Sequence, residues 1–252
     1  MDLREALRPI KRRHPWEIAR LQFFAQALAQ SALHEQQRPL RVLDVGAGDA
    51  WLAQNLLKHL PVGSHIDCVD SGYVDVGAMD TKNGCVAYHQ DIPKEQWDLI
   101  VLLDVLEHVE DDLALLSQTV REALLPGGLV LVSVPAWQGL YTSHDKILHH
   151  FRRYAPQQAA QLLETAGLRI LRSGGLFHIL LIPRMFSWLS ERLLTQRSHH
   201  PAITHHHMAA VNVTLQAVLA VDNWASALLS RAKIDAPGLS WWALCEQDAG
   251  QK

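Results

Sequence analysis

The stretch Val42-Leu43-Asp44-Val45-Gly46-Ala47-Gly48-Asp49-Ala50 restricts the fold of this chain more than any other. The run from Arg41 to Val45 reads as a short buried strand, covered by helices. It breaks at two glycines and gives way to Leu52, Leu56 and Leu60 at helical spacing, so Ala50 to Leu60 reads as a helix with Asp49 as its N-cap. Gly46 and Gly48 carry no Cβ, which lets the chain turn sharply and leaves bare main chain beside helix N-terminal amides.

The same alternation continues downstream. A first helix starts near Pro15, with Ile18, Leu21, Ala25, Leu28 and Ala32 on one face. Ile66 to Asp70, Cys85 to His89, Leu99 to Leu103 and Leu129 to Val134 read as strands. Val109, Leu113, Leu116, Val120 and Leu124 mark an amphipathic helix, stopped by Pro126-Gly127-Gly128. Gln157 to Ala166 forms another helix, before a strand over Leu168 to Leu171. Such βαβα order predicts an α/β fold, a three-layer doubly wound sheet that is open and mostly parallel. Helices over about 177–194 and 207–231 precede a final strand at Leu239 to Cys245, with Pro183 expected to kink the first of them. The expected organisation is a helical N-terminal segment (1–40), a sheet core (41–175), a helical insertion (176–236) and a last strand with the C-terminus (237–252).

Composition narrows the partners. A net charge of −3 over 252 residues gives no basic excess for nucleic acid. Three scattered cysteines, Cys68, Cys85 and Cys245, form no CxxC pair, which fits a reducing, cytoplasmic setting. The N-terminus lacks the apolar core of a secretory signal. Neither apolar stretch, Leu176 to Leu189 or Val211 to Leu229, supplies the roughly 20 predominantly apolar residues of a transmembrane segment. Peripheral membrane contact stays open, as does the oligomeric state. The histidines His199, His200 and His205 to His207 lack carboxylate or cysteine partners in sequence and read as a solvated turn.

A nicotinamide fingerprint requires a third glycine where this chain has Trp51, whose indole would obstruct a pyrophosphate. A nucleoside still fits. Asp70 ends the next strand about 20 residues past the turn, where an acid accepts hydrogen bonds from ribose hydroxyls.

These residues carry a resemblance. The stretch from Arg41 to Pro135 resembles the class I, Rossmann-type S-adenosylmethionine-dependent methyltransferase superfamily, closest to its ubiquinone and menaquinone methyltransferase-like branch, and the likeness extends over about 40–190. It implies a strand order 3-2-1-4-5-7-6 with the last strand antiparallel. It also implies S-adenosylmethionine as cofactor, with Asp44, Gly46, Ala47 and Gly48 around its methionine half and Asp70 on the ribose. Asp91 would take the adenine amino group, Ile92 would lie beside the ring, and Leu103 to His108, including Asp104, would line the methyl-transfer site. Ala50 replaces a glycine common among relatives, a change expected only to tighten the turn.

Methyl transfer from a sulfonium is an in-line displacement, so the protein mainly positions the reactants and supplies a base if the nucleophile carries a proton. His108 is one candidate base. Some quinone-pathway relatives hold a divalent cation with a set matching Asp104, Glu107 and His108, although Glu107 and His108 can equally just begin the following helix. No metal is expected. A second cluster, His144, Asp145, His149, His150, Arg152, Arg153 and Tyr154, resembles a loop bordering the acceptor pocket; His150 and Tyr154 join His108 as catalytic candidates. Arg152 and Arg153 either fork an anionic acceptor or anchor the loop to nearby acids. No Asn/Asp-Pro-Pro-Tyr follows the fourth strand and no Pro-Cys nucleophile is present. The acceptor is therefore expected to be a small molecule, apolar or anionic, with oxygen preferred. The insertion helices are expected to be either a lid over it, which Trp16 would join, or simply core. The competing expectation is a catalytically silent, cofactor-binding regulatory or scaffold protein.

Overall fold

The computed structural model describes residues 13–36, 38–193 and 209–248. Its strands are β1 (Arg41–Val45), β2 (Ser64–Val69), β3 (Gly77–Thr81), β4 (Gly84–His89), β5 (Trp97–Leu103), β6 (Leu124–Pro135), β7 (Leu168–Leu176) and β8 (Ser240–Gln247). The helices are α1 (Pro15–Ala29), α2 (Ala32–Glu35), α3 (Trp51–Leu56), α4 (Asp112–Ala123), α5 (Ser143–Ile147), α6 (Pro156–Thr165), α7 (Leu181–Leu193) and α8 (Ala209–Arg231). They form one sheet in the order β3-β4-β2-β1-β5-β6-β8-β7. β8 is antiparallel between β6 and β7, so the expected order holds, with one edge strand added. That addition, β3, pairs antiparallel with β4, and every one of its residues is exposed.

Successive residues of the central strands divide between two apolar layers, as the two-residue period of a strand requires. Val42, Leu99, Leu131 and Trp242 pack beneath α1, α3 and α8 through Phe24, Leu56 and Leu219. Leu43, Ile100, Val132 and Trp241 pack beneath α4 and α6 through Leu116, Val120 and Leu163. The result is three layers. All strand ends that follow a parallel strand with a loop, β1, β2, β4, β5 and β6, open toward the same rim, which is where crevices form in such sheets.

Two local expectations are corrected. Pro183 does not kink a helix: α7 begins only at Leu181, so the proline lies in the first turn, where its missing N–H has no intrahelical partner to lose. Asp49 is not the N-cap of α3. Ala50 holds that position in a left-handed conformation (φ +54°), and Asp49 instead accepts from the Trp51 N–H at 3.3 Å.

Between β7 and β8, α8 lies against α1 and the edge strand β7, while α7 buries none of its side chains. Among the described residues no helix is long and apolar enough to cross a membrane. The histidine-rich turn of the sequence lies outside the described residues.

Candidate functional site

β1 delivers the chain to the rim with Asp44 buried and Gly46 exposed. Gly46 and Gly48 both take positive φ (+68° and +55°), and the Gly46 and Ala47 N–H groups donate to the Val69 carbonyl at 2.8 and 3.1 Å. The Asp70 carboxylate fastens the crossing. One oxygen accepts from Gly48 N–H (3.0 Å), the other from Gly72 N–H (2.8 Å). A Cβ on Gly46 would come within 2.7 Å of Val105, so the turn and the segment after β5 touch directly. Ala50, fully buried with φ +54°, does more than tighten the turn: a non-glycine residue there costs about 1–2 kcal/mol of backbone strain.

Asp104 follows β5, also at positive φ (+57°). Its carboxylate accepts from Ser133 (3.1 Å) and is ion-paired with Arg20 of α1. Arg20 in turn stacks on Trp16, 4.7 Å from the ring centroid. Arg13 pairs with Asp49 and with Glu17, and lies over the Trp51 ring. Arg13, just before α1, and Arg20, in its second turn, thus tie the start of the helix to Asp49 after the glycine turn and to Asp104 after β5. Arg20 was missed by the sequence reading, although a signal existed: a charged residue one turn before Phe24 interrupts a largely apolar face. Burial pushes the Asp44 carboxyl up to about 7, with Arg20 pulling against it and Asp70 adding to the rise. A cation brought beside such a carboxyl favours its ionised form.

After Asp104, a short 3-10 turn, Leu106–His108, carries Glu107 and His108. Glu107 is completely buried and neither carboxylate oxygen has a hydrogen-bond partner. Burial, reinforced by Asp104, holds its pKa well above the usual carboxylate value. The Phe151 N–H donates to the Glu107 carbonyl at 2.7 Å, which brings the loop after α5 alongside. There His150 meets His108 edge to face, with centroids 4.6 Å apart.

That loop is organised by Asp145, which is also fully buried. It accepts from Thr142 N–H (2.8 Å), Thr142 Oγ1 (3.3 Å) and Arg153 Nε (2.8 Å), approaches His150 Nδ1 at 3.2 Å, and pairs with Arg184 of α7. Arg153 donates also to the Ala136 carbonyl, and Arg152 to Asp112 and the Glu110 carbonyl. Both arginines therefore follow the anchoring alternative. Tyr154 is buried and donates to Asp112 at 2.6 Å. A surface cavity of about 430 Å³ is lined by Arg152, Tyr154 and Leu162, and no residue of the glycine turn reaches it.

The structure thus gathers Asp44, Gly46, Ala47, Gly48, Asp70 and Asp104 around one turn and brings His108 to His150, while Tyr154 is bonded to Asp112. Asp91 is exposed and Ile92 half-buried in the loop after β4. A methyltransferase-domain family model matches residues 16–173.

The chain belongs to that family.

The matched region of this methyltransferase domain begins inside α1 and therefore includes Arg20. A probable S-adenosylmethionine-dependent methyltransferase of Mycolicibacterium smegmatis is 32% identical over 143 residues, covering 54% of this chain and 55% of the relative. A ubiquinone biosynthesis O-methyltransferase of Bradyrhizobium sp. is 29% identical over 103 residues, covering 37% and 39%. The chain thus spans about half the length, or less, of these relatives. Among solved structures, an S-adenosylmethionine-dependent methyltransferase from Mesorhizobium loti superposes with a TM-score of 0.50 at 15% identity, over 89% of this chain and 97% of that one.

Proposed function

We propose that this methyltransferase domain binds S-adenosylmethionine at the Gly46–Gly48 turn and methylates an oxygen of a small acceptor with an apolar body. The observation that carries the reading is the bare, positive-φ turn pinned by Asp70 and facing a buried, cation-seeking Asp44. When bound, the cofactor supplies a methyl group already activated by its positive sulfur. The chain's own work is binding and orientation. Asp70 receives ribose hydroxyls beside its two backbone bonds, Asp91 and Ile92 receive the adenine, and Asp104 with Arg20 frames the amino-acid end. Ala47 and Gly48 contribute the approach of the main chain. On the acceptor side, His108 takes the proton of the attacking hydroxyl and His150 buttresses it edge to face. Tyr154 enters as a loop anchor through Asp112.

An apolar acceptor body is supported by α7, whose Ile182, Met185, Phe186 and Leu189 are exposed, while Arg184 and Glu191 latch the helix to the loop carrying His150. An anionic acceptor finds less support, because Arg152 and Arg153 are already engaged.

Titration calorimetry with S-adenosylhomocysteine and transfer of a labelled methyl group to a panel of phenols and quinols test the reading. The expected result is micromolar binding, and turnover that falls in His108→Ala with binding intact. Asp70→Ala is expected to weaken binding by about 1.5–3 kcal/mol, roughly 10- to 100-fold. Unchanged affinity in that variant removes the ribose assignment, and failure of every acceptor removes the enzymatic one.

Asp44 adds a pH dependence. Its carboxyl is protonated in the free protein below about 7, and a cationic ligand favours the ionised form, so binding releases a proton there. Affinity for the sulfonium cofactor is expected to rise with pH up to and through about 7, more steeply than for its uncharged thioether product. Asp44→Asn should flatten the curve, and parallel curves in the variant and the parent would contradict the assignment.

A further inference from the structure

We infer that Trp242, Ser230, Arg172 and the bare backbone of Gly174 form a site for one small monovalent anion of the halide class. No residue of the glycine turn, or of the turn carrying Glu107 and His108, takes part. Gly174 stands opposite Trp242 where β7 pairs with β8. Its neighbour Gly175 must be glycine, because a Cβ there would come within 2.2 Å of the Ala236 carbonyl oxygen and 2.6 Å of the Gly238 nitrogen. Gly174 has no such reason. Its φ is not positive, and a Cβ would meet Ser230 Cβ and Trp242 Nε1 at 3.7 Å each, an ordinary contact. A methyl-sized gap is left open inside a strand, where glycine weakens the sheet and often marks the close approach of a ligand.

Donors with nothing to donate to surround the gap. Trp242 and Ser230 border it, both buried, and neither Trp242 Nε1 nor Ser230 Oγ has a hydrogen-bond partner. Arg172, two residues before Gly174 and so on the same face of β7, lies over the Trp242 ring with its guanidinium carbon 5.7 Å from the centroid. Its Nε is likewise buried and unpartnered, while its Nη1 donates to Gln30 Oε1 at the end of α1 (3.2 Å). Native interiors leave few polar groups unpaired, and three around one gap require an acceptor.

Charge and size select the ligand. An indole N–H and a guanidinium only donate, and of the three groups Ser230 alone can also accept. A water molecule has two hydrogens of its own to place there, and an anion has none. Burial and the neighbouring Arg231 pull the Arg172 pKa down, and no carboxylate among the described residues opposes them. The gap therefore carries uncompensated positive potential, and a methyl-sized space admits a halide but not a sulfate or phosphate. Bound there, the ion ties the last turn of α8 to β7 and, through Arg172 and Gln30, to the end of α1.

The test is the thermal midpoint of the full chain in rising chloride, with ionic strength held constant by methanesulfonate, an anion too large for the gap. Each tenfold rise in chloride above its dissociation constant should raise the midpoint by about 3–5 °C. Ser230→Ala should weaken the apparent chloride affinity about 10- to 100-fold, as loss of a hydrogen bond to a charged group does. Gly174→Ala meets only ordinary contacts, so the chain should keep its midpoint in methanesulfonate and no longer respond to chloride. Should Gly174→Ala fold poorly, Ser230→Ala carries the expectation, since it removes only a hydroxyl. Crystals soaked in bromide should show one bromide beside Trp242 Nε1. A midpoint that follows ionic strength alone, a chloride response kept in full by the folded variants, or a water in place of bromide overturns the inference.

Discussion

Asp145→Ala is expected to destabilise the chain by about 3–5 kcal/mol, because it strands buried positive charge. Arg153 and Arg184 both direct guanidinium groups at this carboxylate, and both are largely withdrawn from solvent, with side chains 7% and 11% exposed. The same two oxygens hold Thr142 at the start of α5 and face His150 Nδ1. At roughly 2–4 °C per kcal/mol for a chain of this size, the thermal midpoint should fall by about 10 °C. The loss should show its own pH signature. Burial alone would raise the Asp145 carboxyl, but His150, Arg153 and the Thr142 N–H outweigh it and hold it far below the usual carboxylate range. A carboxyl depressed on folding contributes in full above its unfolded value of about 3.9, and that contribution is lost as pH falls toward the folded value. Denaturant unfolding at neutral pH and again near pH 3 measures both parts: the gap between parent and variant should be widest at neutral pH and should narrow in acid. A neutral-pH gap below about 1 kcal/mol would mean that the loop is anchored some other way.

That anchor explains why the loop could be located in the sequence while its inner arrangement could not. The glycine turn was legible because its demands are local: positive φ at Gly46 and Gly48, and an acid at the end of the neighbouring strand, are facts about residue type and short spacing. The βαβα alternation gave only an open, mostly parallel sheet; the strand order came from the family resemblance. β3 escaped because Gly77 to Thr81 is exposed throughout and shows no apolar alternation, although Asn83-Gly84 is a hairpin signal of the ordinary kind. Arg20 reaches Asp104 across 84 residues. No periodicity encodes such a pairing, because it depends on how α1 settles on the sheet. The two roles open to Arg152 and Arg153 likewise turned on whether acids stood near them in space. Asp112, at the start of α4, and the buried Asp145 settle that in favour of anchoring.

Gly46→Ala should remove cofactor binding more completely than any change of a polar group in the crevice. The added methyl is strained twice. At φ +68° an L-residue costs about 1–2 kcal/mol even in open space. Here its Cβ would also meet Val105 Cγ2 at 2.7 Å, a distance at which something must move. Val105 precedes the turn carrying Glu107 and His108, so the displaced segment is the one that faces the acceptor. The methyl would also stand on the exposed main chain that the proposed function reserves for the cofactor. The expected outcome is an affinity for S-adenosylhomocysteine reduced by more than about a hundredfold, each factor of ten corresponding to about 1.4 kcal/mol, together with a lowered thermal midpoint. The double variant Gly46→Ala/Val105→Ala separates the two causes. Removing the Val105 methyls relieves the collision and should recover much of the thermal midpoint, but leaves the new methyl in the crevice, so binding should stay weak. If both variants bind like the parent, the turn is not where the nucleoside lies. If binding returns with Val105→Ala, Gly46 matters for how the fold closes and not for the approach of a ligand to its main chain.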